Sequence, residues 1–304
     1  MGTRRGEIAP PAVKLLDGSN DLGLNAIQSW CLLRNMPLIF GDLVQRDNEY
    51  WHLLMLLLQI VNIVFSPILT TGMTIFLKHI IIDHHQLFKR LFPTRNLLPK
   101  HHFMIHYPRC IRNIGPLLHM WCMRYEAKHN FFKTQLKSFK NITKTLARKH
   151  QKYTALHWES FSLSRVTIGP GKMLQITDLQ EGPEIAAKLN VDTCANVLLV
   201  KHYGSEYRPG LVVCLEINEE LPVFCKISTI VVKDEQVVFI GSGVETICFD
   251  EHFHAFKVLY KPSQAPKVFS VQKLLYFKPM DVQMAYGSTD VSLFVVPYCH
   301  MMQP

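Results

Sequence analysis

A chain of 304 residues with 48% hydrophobic and 19% charged side chains can bury one large or two ordinary cores, which excludes a disordered polymer. Its formal charge of +9 is divided unevenly: residues 1–158 hold 21 Lys+Arg against 8 Asp+Glu, and the remainder holds 12 against 16. That asymmetry predicts two modules, of which the first is suited to a polyanion.

Residues 1–23, with Pro10-Pro11 and Gly18-Ser-Asn-Asp21, read as a disordered leader. They carry neither a secretory h-region nor a myristoylation signal, because position 6 is Gly. Helical spacing then dominates from 24 to 158. Leu24 to Met36 forms a first helix, and Asp47 is placed to cap a second from Glu49 to Phe65. Within it, Leu53–Phe65 is apolar except for Gln59 and Asn62, which is too short for a bilayer and predicts a buried core helix with no membrane partner. Pro67 suits the first turn of a third helix reaching Leu91. Pro93 and Pro99 bracket a connection, Pro108 separates the His-rich piece from the segment after it, and Pro116 can open the longest helix. There Phe132, Leu136, Phe139, Thr143 and Leu146 form an apolar stripe, and Lys133, Lys137, Lys140, Lys144 and Arg148 a basic one.

Past Trp158 the period changes. Residues 159–195 read as a linker with a turn at Gly169-Pro-Gly171 and a short helix from Pro183 to Leu189. From 196 to 299 the chain reads as short strands: Val197–Tyr203, Leu211–Ile217, Val223–Val232, Val237–Ile240, Glu245–Phe249, Ala255–Tyr260, Val268–Leu275 and Val291–Val296. Turn residues separate them, at Arg208-Pro-Gly210, Asn218-Glu-Glu220, Lys233-Asp-Glu235, Gly241-Ser-Gly243 and Lys261-Pro-Ser263. The predicted class is therefore α+β: a helical N-terminal module followed by a β-rich small barrel or sandwich.

Eight cysteines without a CxxC pair point to a reducing interior, nuclear or cytoplasmic, with the thiols buried as small hydrophobes. The sequence has no GxSxG, P-loop or dinucleotide fingerprint. His102-x3-His106-x3-Cys110 offers metal-ligand atoms, with Cys122 nearby, but Pro108 should keep one helix from presenting all three on a face, so core or surface histidines are the bland reading. His252 and His254 would share one face of a strand, again a weak metal signal. The best signal is the basic series Lys128, Lys133, Lys137, Lys140, Lys144, Arg148, Lys149 and Lys152, with no acid from Ala127 to Lys152. It could neutralise several phosphates in a salt-sensitive, sequence-blind way, or it could be a solvated helix face. Glu126 could share a divalent metal with other acids, but the other first-half acids past the leader, Asp42, Asp47, Glu49 and Asp83, sit at the end of no recognisable strand. The plain alternative is a structural Glu paired with Arg124, Lys128 or Lys133.

Several segments in order are similar to animal transposases of the CACTA (EnSpm) type. They are Trp30-Cys-Leu-Leu-Arg34, Leu91-Phe-Pro93, Pro99-Lys-His-His-Phe103, Gly115-Pro-Leu117, Met123-Arg-Tyr-Glu-Ala-Lys-His129 and Lys149-His-Gln151. The similarity runs from about Leu24 to Gln151 and is strongest over 98–151. Lys278-Pro-Met-Asp281 and Phe294-Val-Val-Pro-Tyr298 resemble the closing pattern of such elements, less specifically. The resemblance implies an RNase H-like catalytic domain with two Asp and one Glu, in which Glu126 is a vestigial third acid. The two Asp would lie upstream of residue 1. It further implies a catalytically incomplete, domesticated remnant that binds DNA without strong sequence preference. Its partners would be DNA and a related transposase chain, and Mg²⁺ would be a cofactor only if upstream acids complement Glu126. Two alternatives stand beside this reading: a protein–protein adaptor with no nucleic-acid role, and a subunit that supplies one acid to a partner transposase.

Overall fold

The computed structural model describes residues 22–122, 132–134, 141–162, 166–175, 193–202, 204–233, 236–260, 266–286 and 292–301. The leader, the predicted helix at 183–189 and the turns at 233–235 and 261–263 fall wholly or mostly outside them. The class is α+β, with helices before Ser162 and a large antiparallel sheet after Val166.

Helix α1 spans Ala26–Phe40 and starts on a capping box, in which Asn25 accepts from the Gln28 N–H and the Gln28 side chain accepts from the Asn25 N–H. Helix α2, Glu49–Val64, is capped by Asn48, whose side chain accepts from Trp51 N at 3.0 Å. The cap is therefore one residue after the predicted Asp47. Helix α3 spans Thr71–Leu91 and is capped by Thr70, so Pro67 lies in the connection and not in the first turn. Helix α4 spans Pro99–Ile114 and runs through Pro108, against expectation. Pro108 and Ile111 are buried, and Ile111 joins a core made by Leu56, Ile60 and Ile63 of α2 with Leu77, Ile80 and Ile81 of α3. Each such burial is worth about 1.5–3 kcal/mol, enough to offset the hydrogen bond that proline cannot donate.

The predicted longest helix is not one helix. Asn141 adopts a left-handed φ of +53°, and helix α5, Ile142–Ser162, begins after it. Phe132 and His150 would stand about 27 Å apart on a straight helix. Their ring centroids are 5.3 Å apart, so the chain reverses between them. Phe132 and Lys133 therefore lie before the reversal, Lys144, Leu146 and Arg148 after it, and Thr143 is exposed where an inward position was expected. Leu136, Lys137, Phe139 and Lys140 lie outside the described residues.

Two strands occupy the expected linker: β1, Val166–Ile168, and β2, Gly171–Gln175. They are followed by β3 (Thr193–Val197), β4 (Val200–His202), β5 (Ser205–Tyr207), β6 (Val212–Asn218), β7 (Leu221–Lys233), β8 (Gln236–Asp250), β9 (Ala255–Tyr260), β10 (Lys267–Ser270), β11 (Val282–Met284) and β12 (Leu293–Val295). β1, β4 and β5 make a three-stranded sheet. The nine-stranded sheet runs β11-β12-β9-β8-β7-β3-β2, with β6 also on β7 and β10 also on β8, and it does not close into a barrel. The long β7–β8 hairpin is its spine. One half of it packs Ile227, Ile230 and Phe239 into one core, and the other half packs Phe224 and Val244 with Phe256 of β9 into a second.

Gly241-Ser-Gly243 does not turn the chain; it lies inside β8. A Cβ on Gly241 would sit 2.4 Å from the Lys226 carbonyl, so this glycine marks close approach of two strands beside the register shift between Ile227 and Thr229.

Helices and sheet interlock along a seam. Leu38 of α1 packs on Phe253, Ala255, Phe294 and Val296. The Tyr286 N–H donates to the Leu38 carbonyl at 2.8 Å, and the His300 N–H donates to the Asn62 carbonyl at 3.0 Å.

Candidate functional site

Helix α5 presents the cationic face. Lys144, Arg148 and Lys152 recur every fourth residue and are all exposed, with Ala147, Gln151 and Ala155 on the same side. Residues four apart share a helix face, about 6 Å apart along the axis. From Ile142 to Trp158 there is no acid, and between Asp83 and Glu159 the one acidic residue is Glu126. Lys149 is half-buried on the other side of α5 and leaves the predicted row. Lys133 is exposed on the arm before Asn141. Glu126, Lys128, Lys137 and Lys140 lie outside the described residues.

The histidine-rich stretch separates into two groups. His84, His85 and His101 pack ring to ring, at centroid distances of 5.4 to 6.2 Å. The His85 Nδ1–H donates to the Ile81 carbonyl at 2.6 Å. Burial, reinforced by the neighbouring imidazoles, pushes His84 down to about 4, so the group is neutral at pH 7. On the exposed side of α4, His102 and His106 bring their Nε2 atoms to 3.1 Å. Cys110 comes next along α4, half-buried, and among the described residues no group of three or more His, Cys, Asp or Glu could hold a metal.

His252 and His254 do not sit on a strand, as the His-x-His spacing predicts; they occupy the turn between β8 and β9. Both serve the seam. The His252 Nε2–H donates to the Gly41 carbonyl at 2.8 Å, and Trp51 Nε1 donates to the His252 carbonyl at 3.0 Å. Asn62 Nδ2 donates to His254 Nε2 at 2.8 Å, which requires a neutral imidazole. Burial first, and His300 second, hold His254 down to about 4.

A cavity of about 840 Å³ opens along this seam between α2 and the β8–β9 turn. Its lining includes Gln59, Asn62, His254, Cys299 and His300. Burial pushes the Cys299 thiol up to about 11 and lowers His300 as well as His254. A thiol so raised is not a thiolate at pH 7, and an imidazole with its proton affinity so reduced is a poor general base. The recess offers hydrogen bonds but no activated nucleophile.

Trp30, Phe65, Trp121 and Tyr298 form an aromatic cluster at the same seam, with Phe65 stacked on Trp121 at 4.9 Å. The Arg34 guanidinium lies 3.6 Å from the centre of the Tyr298 ring and donates to the carbonyls of Val296 at 2.6 Å and Pro297 at 3.0 Å. Lys278 Nζ stands 5.7 Å from the same ring, its pKa lowered by burial. Sequence reasoning singled out Trp30–Arg34, Lys278 and Tyr298 as separate motif residues; in the fold they meet. It did not find the Asn62–His254 contact. The available signal was Asn62 itself, an amide within an otherwise apolar helix, since buried amides must be hydrogen-bonded.

Comparison of the chain with family models, curated proteins and solved structures finds no match.

Proposed function

We propose that this chain is a transposon-derived, nucleic-acid-associated protein that binds double-stranded DNA through its phosphates and does not transfer strands by itself. The observation that carries the reading is the exposed row Lys144, Arg148 and Lys152 on α5, in a stretch without acids. Such a row neutralises phosphates, releases counterions and reads no base. Trp30, Arg34, Lys278 and Tyr298, which belong to the segments that carry the resemblance to CACTA-type transposases, meet in one folded unit. The described acids of the helical part, Asp42, Asp47, Glu49, Asp83 and Glu159, are on helices or connections, and Glu49 pairs with Arg90. A two-metal clamp needs more than one carboxylate at the reacting phosphate, so Glu126 would act only beside acids from another chain. The eight cysteines are all unpaired, which suits a reducing nuclear or cytoplasmic compartment. Among the described residues no helix is long and apolar enough to cross a membrane.

The test is fluorescence anisotropy with a labelled random-sequence duplex at several salt concentrations. Replacing Lys144, Arg148 and Lys152 by Glu should weaken binding and flatten the slope of log K against log salt by up to about 2.7, from about 0.9 per phosphate contact. Equal binding by parent and triple variant would make the row a solvated face and favour the adaptor reading. In a companion assay, the pure chain with Mg²⁺ or Mn²⁺ should leave supercoiled DNA uncut. Nicking that Glu126→Gln abolishes would show a complete acid set within this chain.

A further inference from the structure

We propose that His102 and His106 form a two-histidine site for a divalent transition-metal ion of the imidazole-preferring kind, such as Zn²⁺. Residues four apart on a helix face the same way, and α4 keeps its helical course past both and through Pro108. Their Nε2 atoms are 3.1 Å apart on an exposed surface. Zinc–imidazole bonds of about 2.0–2.1 Å, subtending angles between octahedral and tetrahedral, place two neighbouring ligand nitrogens about 2.9–3.4 Å apart. The separation of the two nitrogens therefore matches that of two imidazoles on one ion.

The ligand type selects the metal. Neutral imidazole nitrogen suits Zn, Cu and Ni, whereas Mg²⁺ and Ca²⁺ demand oxygen donors. No acid lies between Asp83 and Glu126, so the helix supplies no oxygen ligand for a hard cation. Because no third described group converges, the other coordination positions face solvent and carry water. The neighbouring cations Lys100, Arg109 and Arg112 are exposed and repel a dication, so affinity rests on chelation by both rings. His101, although adjacent in sequence, takes no part: its Nδ1 accepts from the Leu98 N–H at 3.0 Å and its ring packs on His84, His85 and Phe88.

The alternative for the same geometry is a hydrogen bond in which one imidazole donates to the other. The two are separated by a Zn²⁺ titration of the full chain with uniform ¹⁵N labelling, followed by long-range ¹H–¹⁵N spectra of the imidazoles. These spectra are specific to each ring, so zinc taken by the exposed thiols does not enter the readout. The Nε2 signals of His102 and His106 should move together and saturate with one affinity. In His102→Asn, the zinc concentration needed to shift His106 should rise at least about tenfold, because the second ligand no longer acts at a high effective concentration. His106→Asn should do the same to His102. Both positions are on the surface, so the variants should keep the parent's fold, checked by circular dichroism. Independent titration of the two rings, or an unchanged response of His106 in His102→Asn, would overturn the site and leave the hydrogen bond.

Discussion

His254 shows how one side chain makes the seam depend on pH. Its ring accepts from Asn62, so protonation must break that bond as well as charge a buried group. The folded pKa of about 4 lies below the ordinary 6.5. The unfolded chain therefore takes up the proton first as pH falls. The contribution is fully present above pH 6.5 and is lost between there and pH 4. At pH 5 the loss from His254 alone is about 2 kcal/mol, with His84 adding in the same direction because it too is held to about 4. Urea midpoints should drop from pH 7.5 to pH 5, and less steeply in His84→Phe, which keeps a ring in place without a titrating group. A parallel pH dependence in that variant would remove His84 from the account. At Gly41 the constraint is space and not conformation, since φ is −57° and a Cβ would lie 2.7 Å from the Phe253 ring. Gly41→Ala should cost about 1–3 kcal/mol by forcing the buried ring aside.

At the scale of elements, the sequence shows periodicity and hides the tertiary contacts that overrule local signals. Helices α1 to α3 and the hairpin strands β6, β7 and β9 are legible from apolar spacing and from turn residues such as Gly210, whose φ is +93°. Two proline and glycine signals mislead. Pro108 reads as a break, but it is buried with Ile111, and packing outweighs the missing N–H. Gly241 and Gly243 read as a turn, but Gly241 is needed where the Lys226 backbone passes. Asn141 carries the opposite lesson: nothing in the Lys/Phe spacing around it announces a break, and its side chain is among the few that tolerate the left-handed region. The cationic candidates were legible as a row, yet the reversal at Asn141 decides which of them share a face, and that is a property of chain path. Asn141→Gly should be nearly neutral, whereas Asn141→Val should cost about 1–3 kcal/mol by placing a β-branched residue in that conformation. Both are read from urea midpoints. Equal stability of the valine variant would mean that the fold does not depend on the left-handed conformation at Asn141.

The asymmetry of charge predicts two modules, but the whole molecule joins them at so many points that neither has a complete surface alone. Arg34 bonds to the carbonyls of Val296 and Pro297, Arg46 pairs with Asp250 at 3.1 Å, Trp51 reaches His252, and Asn62 reaches His254 and His300. Leu38 fills a core whose other members, Phe253, Ala255, Ala285, Phe294 and Val296, all come from the β-rich part. Separation would expose that apolar surface to water and give up the hydrogen bonds across the seam, each worth about 0.5–1.5 kcal/mol net. The helical and β-rich parts should therefore unfold as one unit. Far-ultraviolet circular dichroism reports the helices, and fluorescence reports the four tryptophans, of which Trp30, Trp51 and Trp121 lie at the seam. The two urea transitions should coincide, and Arg34→Ala should shift both midpoints equally. That variant removes the cation held against Tyr298 and leaves two carbonyls without their donor, so the common shift should correspond to about 2–4 kcal/mol. Transitions that separate, with Arg34→Ala moving only the fluorescence, would mean that the seam is a docking contact between independently stable modules.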